Sequence, residues 1–311
     1  MIEKESKSLI SPTLNRQALC SAREGLLAIL RHSVQSDPDA VLLVPAYIGW
    51  SPNEGSGLMD PIVDSQIRYN FYPVSEKLLP ITESLNQEIM KHRKVKLLLV
   101  HYFGKRSILD ESTIAMINSN GHGIIEDWAH DLSRFFEPRI SLCEDHFELF
   151  SIHKWTASHA GGLVRGRVEL LSGLNPVGAS VEDLLILAAS DVSEIRNIRW
   201  RNYLDIDRKL VHSDKIQRFW STTEDVSCPL NFPIVLNSVA DRSQLYSILV
   251  DRGLKPTSLY HKLTEHLDAR DFPLAYKLAD TILNLPVHQD CSIEDIDELV
   301  NVINDWALVS S

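Results

Sequence analysis

The sequence predicts an α/β fold: a large lobe on a mainly parallel sheet, followed by a smaller C-terminal α/β lobe. Short, continuously apolar runs alternate with helical periodicity, and no tight-hairpin signal separates them. Successive strands are therefore joined by crossover helices and lie parallel. With 311 residues, 44% of them hydrophobic, the chain has apolar material for one large core and a smaller one. The expected division is residues 1–210 for the large lobe with its linker helix, and 211–311 for the small lobe.

The first helix begins at Ser21, with Glu24 three positions on in the pattern of a capping box, and Leu26, Leu27, Leu30 and Val34 fall on one of its faces. At its start, Ser21, Ala22 and Arg23 either complete a cap or receive a phosphate, because free amides and the positive end of the helix dipole meet there. Residues 40–50, AVLLVPAYIGW, read as a buried strand ending at Pro45. Tyr47 and Trp50 follow its carboxyl end, the edge at which open α/β sheets bind ligands. Each ring is either core or a flat face for stacking. A helix over 82–93, a strand over 95–101 (VKLLLVH), a helix over about 110–119 and a strand over 123–127 (GIIED) continue the alternation. After residue 215 come a strand, FPIVL, a helix with Leu245, Ile248 and Leu249 on one side, and a last helix carrying Ile296, Leu299, Val300 and Ile303.

Two stretches carry chemistry. Asp127 closes an apolar strand, where a carboxylate is costly to bury without a cationic partner, and a protonated pyridine nitrogen is one such partner. His130 follows three residues later, within reach of a neighbouring ring substituent; a helix cap and an ordinary polar residue are the plainer readings. In ELFSIHKWTASHAGGLV, residues 148–164, Lys154 lies between apolar flanks. An amine that reacts as a nucleophile must be kept from full solvation, so Lys154 is a candidate Schiff-base lysine, with a surface lysine as the alternative. One turn brings the Ser151 hydroxyl to the same side.

Composition excludes several classes. A net charge of −11 argues against a nucleic-acid footprint. The chain has no apolar run of membrane length and no signal-type N-terminus, so a cytoplasmic protein without membrane contact is expected. Cys20, Cys143, Cys228 and Cys291 are widely separated and read as reduced thiols; His101, His153 and His159 match no zinc spacing, so no metal is expected. Residues 195–203, with Arg196, Arg199 and Arg201, offer either a local basic patch for a diphosphate or a solvated helix face.

Taken together, PAYIGW (45–50), VKLLLVHYFG (95–104), GIIEDWAHDL (123–132) and LFSIHKW with GGLV (149–164) resemble, in order and approximate separation, the motifs of the DegT/DnrJ/EryC1/StrS family of pyridoxal-phosphate (PLP) aminotransferases. The likeness continues through residues 232–236, 241–260 and 282–303. It implies a type I, aspartate aminotransferase-like fold with PLP as cofactor. By the same resemblance, Lys154 stands at the internal aldimine lysine and Asp127 at the pyridine-nitrogen carboxylate. His130 stands at the ring-hydroxyl contact and Ser151 at the phosphate hydroxyl. Ser21, Ala22 and Arg23 stand at the phosphate turn, where the family commonly has Gly-Thr. Trp50 is the first choice for the ring-stacking aromatic and Tyr47 the second. The chain is shorter than typical members, with only two residues between Ser151 and Lys154. Relatives that replace the lysine with histidine are dehydratases; the retained Lys154 favours transamination over a sugar dehydratase or lyase, or over a non-catalytic relative. The resemblance further implies glutamate or glutamine as donor, a nucleotide-linked keto sugar as acceptor, and a homodimer with sites at the subunit boundary.

Overall fold

The computed structural model describes residues 16–220, 226–257 and 259–309. Its main sheet has seven strands: β1 (Arg16–Leu19), β2 (Val41–Pro45), β3 (Arg68–Tyr72), β4 (Val95–Val100), β5 (Gly123–Asp127), β6 (Asp145–Ser151) and β7 (Gly162–Arg165). They lie in the order β1-β7-β6-β5-β4-β2-β3. The five strands from β3 to β6 are mutually parallel, as the alternating pattern predicts, while β7 runs antiparallel to both β6 and β1. Every residue of β2, β4 and β5 is buried, which is why these strands read as unbroken apolar runs. The chain moves outward from β2 to β3 and then returns to place β4 on the other side of β2. The carboxyl ends of β4, β5 and β6 thus lie side by side, with Val100 opposite Asp127 and Asp127 opposite Leu149.

Helices α1 (Ala22–Ser36), α2 (Met59–Ser65), α3 (Thr82–Met90) and α4 (Glu111–Ser119) connect these strands. Ser21 caps α1, its Oγ accepting from the Glu24 amide at 3.0 Å. The buried face of α1 carries Leu26, Ile29 and Leu30, with Val34 packed partly buried against the same core and Leu27 to one side. Strand β5 coincides with its predicted span, whereas α3 stops at Met90 because Lys91 and His92 turn tightly onto Glu88 and Ile89. Beyond β7 come α5 (Val168–Ser172), α6 (Val181–Ala189) and the long α7 (Val192–Lys209).

A second, antiparallel sheet, in the order β10-β9-β8, comprises β8 (Ile216–Arg218), β9 (Asn231–Leu236) and β10 (Ile282–Pro286). With α7, α8 (Val239–Asp251) and α10 (Ile293–Val309) it encloses a core around Tyr203, Ile206, Phe232, Leu245, Leu299 and Ile303, while α9 (Pro273–Thr281) faces the larger core. The larger core also takes Phe219, Trp220, Tyr260, Leu263 and Leu278 from beyond residue 210, so the C-terminal part of the chain reaches back onto the main sheet. No helix among the described residues is long and apolar enough to cross a membrane.

Candidate active site

Lys154 stands in a tight turn that follows the last residue of β6, Ser151. The amides of Trp155 and Thr156 both donate to the carbonyl of Ile152, at 3.0 and 3.1 Å. Asp127, the last residue of the adjacent strand, is only 9% exposed. The chain therefore brings Lys154 and Asp127 to the same sheet edge. Burial pushes the Asp127 carboxyl above its ordinary range; nearby Lys154, the amide of Ala129 at 2.8 Å and His101 pull the other way. Burial likewise pushes the Lys154 ammonium below its ordinary range, opposed by Asp127 and then Glu54. Each group pays a desolvation cost that the other only partly offsets, as at a site built to meet a ligand.

His130 joins the pair. Its ring is buried, Nδ1 accepts from the Phe103 amide at 2.9 Å, and burial, Lys154 and His101 together hold it well below the ordinary histidine range. It is thus a neutral imidazole with its proton on Nε2, able to donate to an acceptor. Behind Asp127, Glu126 bridges two imidazoles: His101 Nε2 at 3.1 Å and His146 Nε2 at 2.8 Å. The Nδ1 atoms of those rings accept from the amides of Ser107 and Leu142, so both Nε2–H groups donate to the carboxylate. Those bonds hold the Glu126 carboxyl well below its ordinary range against burial. His101, treated from sequence as a polar residue near the cleft, stacks on Trp128 at 3.4 Å between centroids and fixes the floor beside Asp127.

A helix N-terminus closes the other side. Ser151 pairs with Gly162, and Gly161 bridges Ser21 while its amide donates to the Cys20 carbonyl at 2.8 Å. The approach is close enough that a Cβ on Gly162 would lie 2.2 Å from the Ala22 nitrogen. Ser151, Ser21 and Ala22 are thereby gathered, and the amides of Ala22 and Arg23, having no intrahelical acceptor, lead α1 toward them. The Ser151 Oγ lies 3.1 Å from His153 Nδ1. The Arg23 side chain is turned aside to the Glu54 carbonyl at 2.8 Å and to Asp60 at 3.5 Å.

The two aromatics offered for stacking sit differently. Trp50 packs against the C-terminal part of the chain. Its amide donates to the Lys262 carbonyl at 2.9 Å, which leaves the ring 36% exposed under the Lys262 ammonium at 4.3 Å. It lines a groove of about 490 Å³ with Met59, His266 and Tyr276, not with the paired lysine and aspartate. Tyr47 is fully buried and packs at 5.1 Å on Tyr260, its hydroxyl unpartnered among the described residues. Tyr260 is a further ring on this side. Burial and then the Asp127 charge raise its phenol, it meets the His130 ring at 6.2 Å, and Gly49 makes room for it, since a Cβ there would lie 2.8 Å from Tyr260 Cδ1. Sequence reasoning missed Tyr260; the glycine before Trp50 is the local signal that a ring packs there.

Of the three arginines of α7 read as a basic patch or a solvated face, Arg199 is 2% exposed and donates to the Lys154 carbonyl at 2.9 Å, Arg196 is partly exposed and engaged by Glu137 and the Ser227 carbonyl, and Arg201 is exposed. Arg199 is therefore part of the core. All four cysteines are free, and no group of His, Cys, Asp and Glu among the described residues is placed to hold a metal ion. The donors present fit a phosphorylated pyridine aldehyde instead: an amine, a carboxylate, a neutral imidazole and a helix N-terminus beside a hydroxyl, with Gly162 letting the last two meet.

The architecture, a mainly parallel sheet plus a small second sheet, is shared with solved structures that include sugar aminotransferases. A sugar aminotransferase, Spr1654 of Streptococcus pneumoniae, superposes with a TM-score of 0.76 at 17% identity over 94% of this chain and 86% of that one. PseC of Helicobacter pylori, an aminotransferase of pseudoaminic acid biosynthesis, gives 0.74 at 16% identity with the same coverage. A DegT DnrJ EryC1 StrS aminotransferase from Brucella abortus gives 0.72 at 17%, again over 94% and 86%. No family model matches the sequence, and no curated protein matches it.

Proposed function

We propose that the protein is a PLP-dependent aminotransferase that moves an amino group from glutamate or glutamine to a keto sugar carried on a nucleotide, and that it works as a cytoplasmic homodimer. The observation that carries the reading is the Asp127–Lys154 pair, with Asp127 buried and Lys154 half-buried at one sheet edge beside the N-terminus of α1. The fold neighbours support it: Spr1654 is known in both PLP and PMP forms, the two resting states of a transaminase.

Lys154 would hold the cofactor covalently, with Asp127 at the ring nitrogen, His130 at the ring hydroxyl, and Ser151 with the Ala22 and Arg23 amides at the phosphate. Bound PLP supplies an aldehyde and an electron-withdrawing ring. The chain supplies the proton chemistry. The depressed Lys154 amine has a larger uncharged fraction near neutral pH, so it can act as a nucleophile. Freed from the cofactor, Lys154 would be the base that carries a proton from the donor's α-carbon to the carbon that was the cofactor's aldehyde. The buried Asp127 carboxylate would keep a proton on the ring nitrogen, and an ion pair there would offset its desolvation cost. His130, whose Nδ1 is taken by the Phe103 amide, would offer Nε2–H to the ring hydroxyl.

Homodimer formation is supported by α6, which exposes Val181, Leu184 and Leu185 beside an exposed Val177, an apolar face of the kind that marks an interface. The test of the activity is the first half-reaction. Protein loaded with PLP should lose its visible absorption band when glutamate or glutamine is added, releasing one equivalent of oxo acid. A band unchanged by every amino donor overturns the transaminase reading.

A further inference from the structure

The turn that carries Lys154 is held from outside the main sheet. Arg199, on α7, donates through Nη2 to the Lys154 carbonyl at 2.9 Å and to Gln289 Oε1 at 3.2 Å, and its Nε reaches the same oxygen at 3.3 Å. Gln289 in turn donates through Nε2 to the Trp155 carbonyl at 3.2 Å. The guanidinium lies over the Trp155 ring at 4.2 Å. One turn along α7, Asn202 Nδ2 binds the carbonyls of Val287, His288 and Cys291, fixing the loop from which Gln289 projects.

A buried cation without a counter-ion is a poor choice for packing, because an apolar side chain of similar volume would avoid the desolvation cost. Among the described residues no carboxylate forms an ion pair with Arg199; burial lowers the guanidinium only to about 10, so it stays charged. Nor is it among the charges that act on the Lys154 amine, which are Asp127 and Glu54. What the guanidinium does is fix the Lys154 carbonyl directly and, through Gln289, the next carbonyl of the turn, that of Trp155.

We infer that Arg199 and Gln289 form a positioning clamp: they set the direction in which the Lys154 side chain leaves the backbone and tie it to the loop after β10. The clamp acts through the geometry of residues 152–156 and touches neither amine nor cofactor. It deepens the reading of Lys154 as the cofactor lysine, and its first test is independent of that reading.

Hydrogen exchange on the full chain without cofactor reads the turn directly. Arg199→Met keeps volume and removes the fork. The Trp155 and Thr156 amides should exchange at least about tenfold faster, while β4 and β5 stay protected and the urea midpoint is unchanged or higher. Gln289→Ala should give a smaller effect of the same kind, and Arg199→Lys a partial rescue. With PLP added, borohydride trapping at Lys154 should slow by about tenfold in Arg199→Met. Unchanged exchange at Trp155 and Thr156 in both Arg199→Met and Gln289→Ala overturns the clamp, as does faster exchange spread over the whole sheet. If wild-type protein traps no PLP, the cofactor reading falls, and the exchange result still decides the clamp.

Discussion

Lys154 and Asp127 each bear a desolvation cost that a bound pyridine ring would relieve, so their substitution should separate binding from chemistry. Asp127→Asn removes the charge proposed to keep the ring nitrogen protonated. It should leave cofactor trapping at Lys154 in place while kcat falls by roughly a hundredfold or more, an amount typical for losing one preorganised electrostatic partner; steady-state kinetics with glutamate reads it. Trp50→Ala, by contrast, should alter trapping by less than about twofold, because that ring is held under Lys262 in a separate groove. Lys154, Asp127 and Ser151 were legible in the sequence because each closes or follows an apolar strand. Arg199 and Tyr260 were not, since their meaning comes from contacts 45 residues away with Lys154 and with His130 across the sheet edge.

At the scale of elements, the site depends on two close fits. Strand β7 meets the start of α1 so tightly that Gly162→Ala forces backbone apart. The substitution should cost about 3 kcal/mol in urea unfolding and weaken PLP binding through the phosphate turn. Between β4, β5 and β6, Glu126 accepts from two imidazole N–H groups, and an amide offers only one acceptor oxygen. Glu126→Gln should therefore cost about 3 kcal/mol. The pH sign follows. The folded Glu126 pKa is depressed below the unfolded value, so its contribution is present above the ordinary carboxylate range and is lost as pH falls through and below it. Urea midpoints measured downward from pH 6 should drop for wild type and drop less steeply for Glu126→Gln. Strand β5 was legible to the residue because it is buried on both faces. Edge strand β3, which alternates exposure, and the antiparallel sense of β7 left no comparable trace.

The whole molecule is two sheets joined by α7, and the C-terminal part of the chain contributes to both cores. The alternation of apolar runs and helices made the large sheet legible. The second sheet begins at Ile216, and Trp220 and Tyr260 return to the main core, a long-range packing that has no local period in the sequence. The exposed apolar face of α6 sets the expected assembly. Leu185→Asp should shift sedimentation from dimer to monomer without unfolding the chain, whereas an unchanged sedimentation coefficient would place any dimer contact elsewhere. The account as a whole turns on one amine. Reduction of the PLP-loaded protein with borohydride, followed by peptide mass mapping, should place the pyridoxyl group on Lys154 and leave Lys154→Ala unlabelled; no stable label, or a label on another lysine, would contradict it.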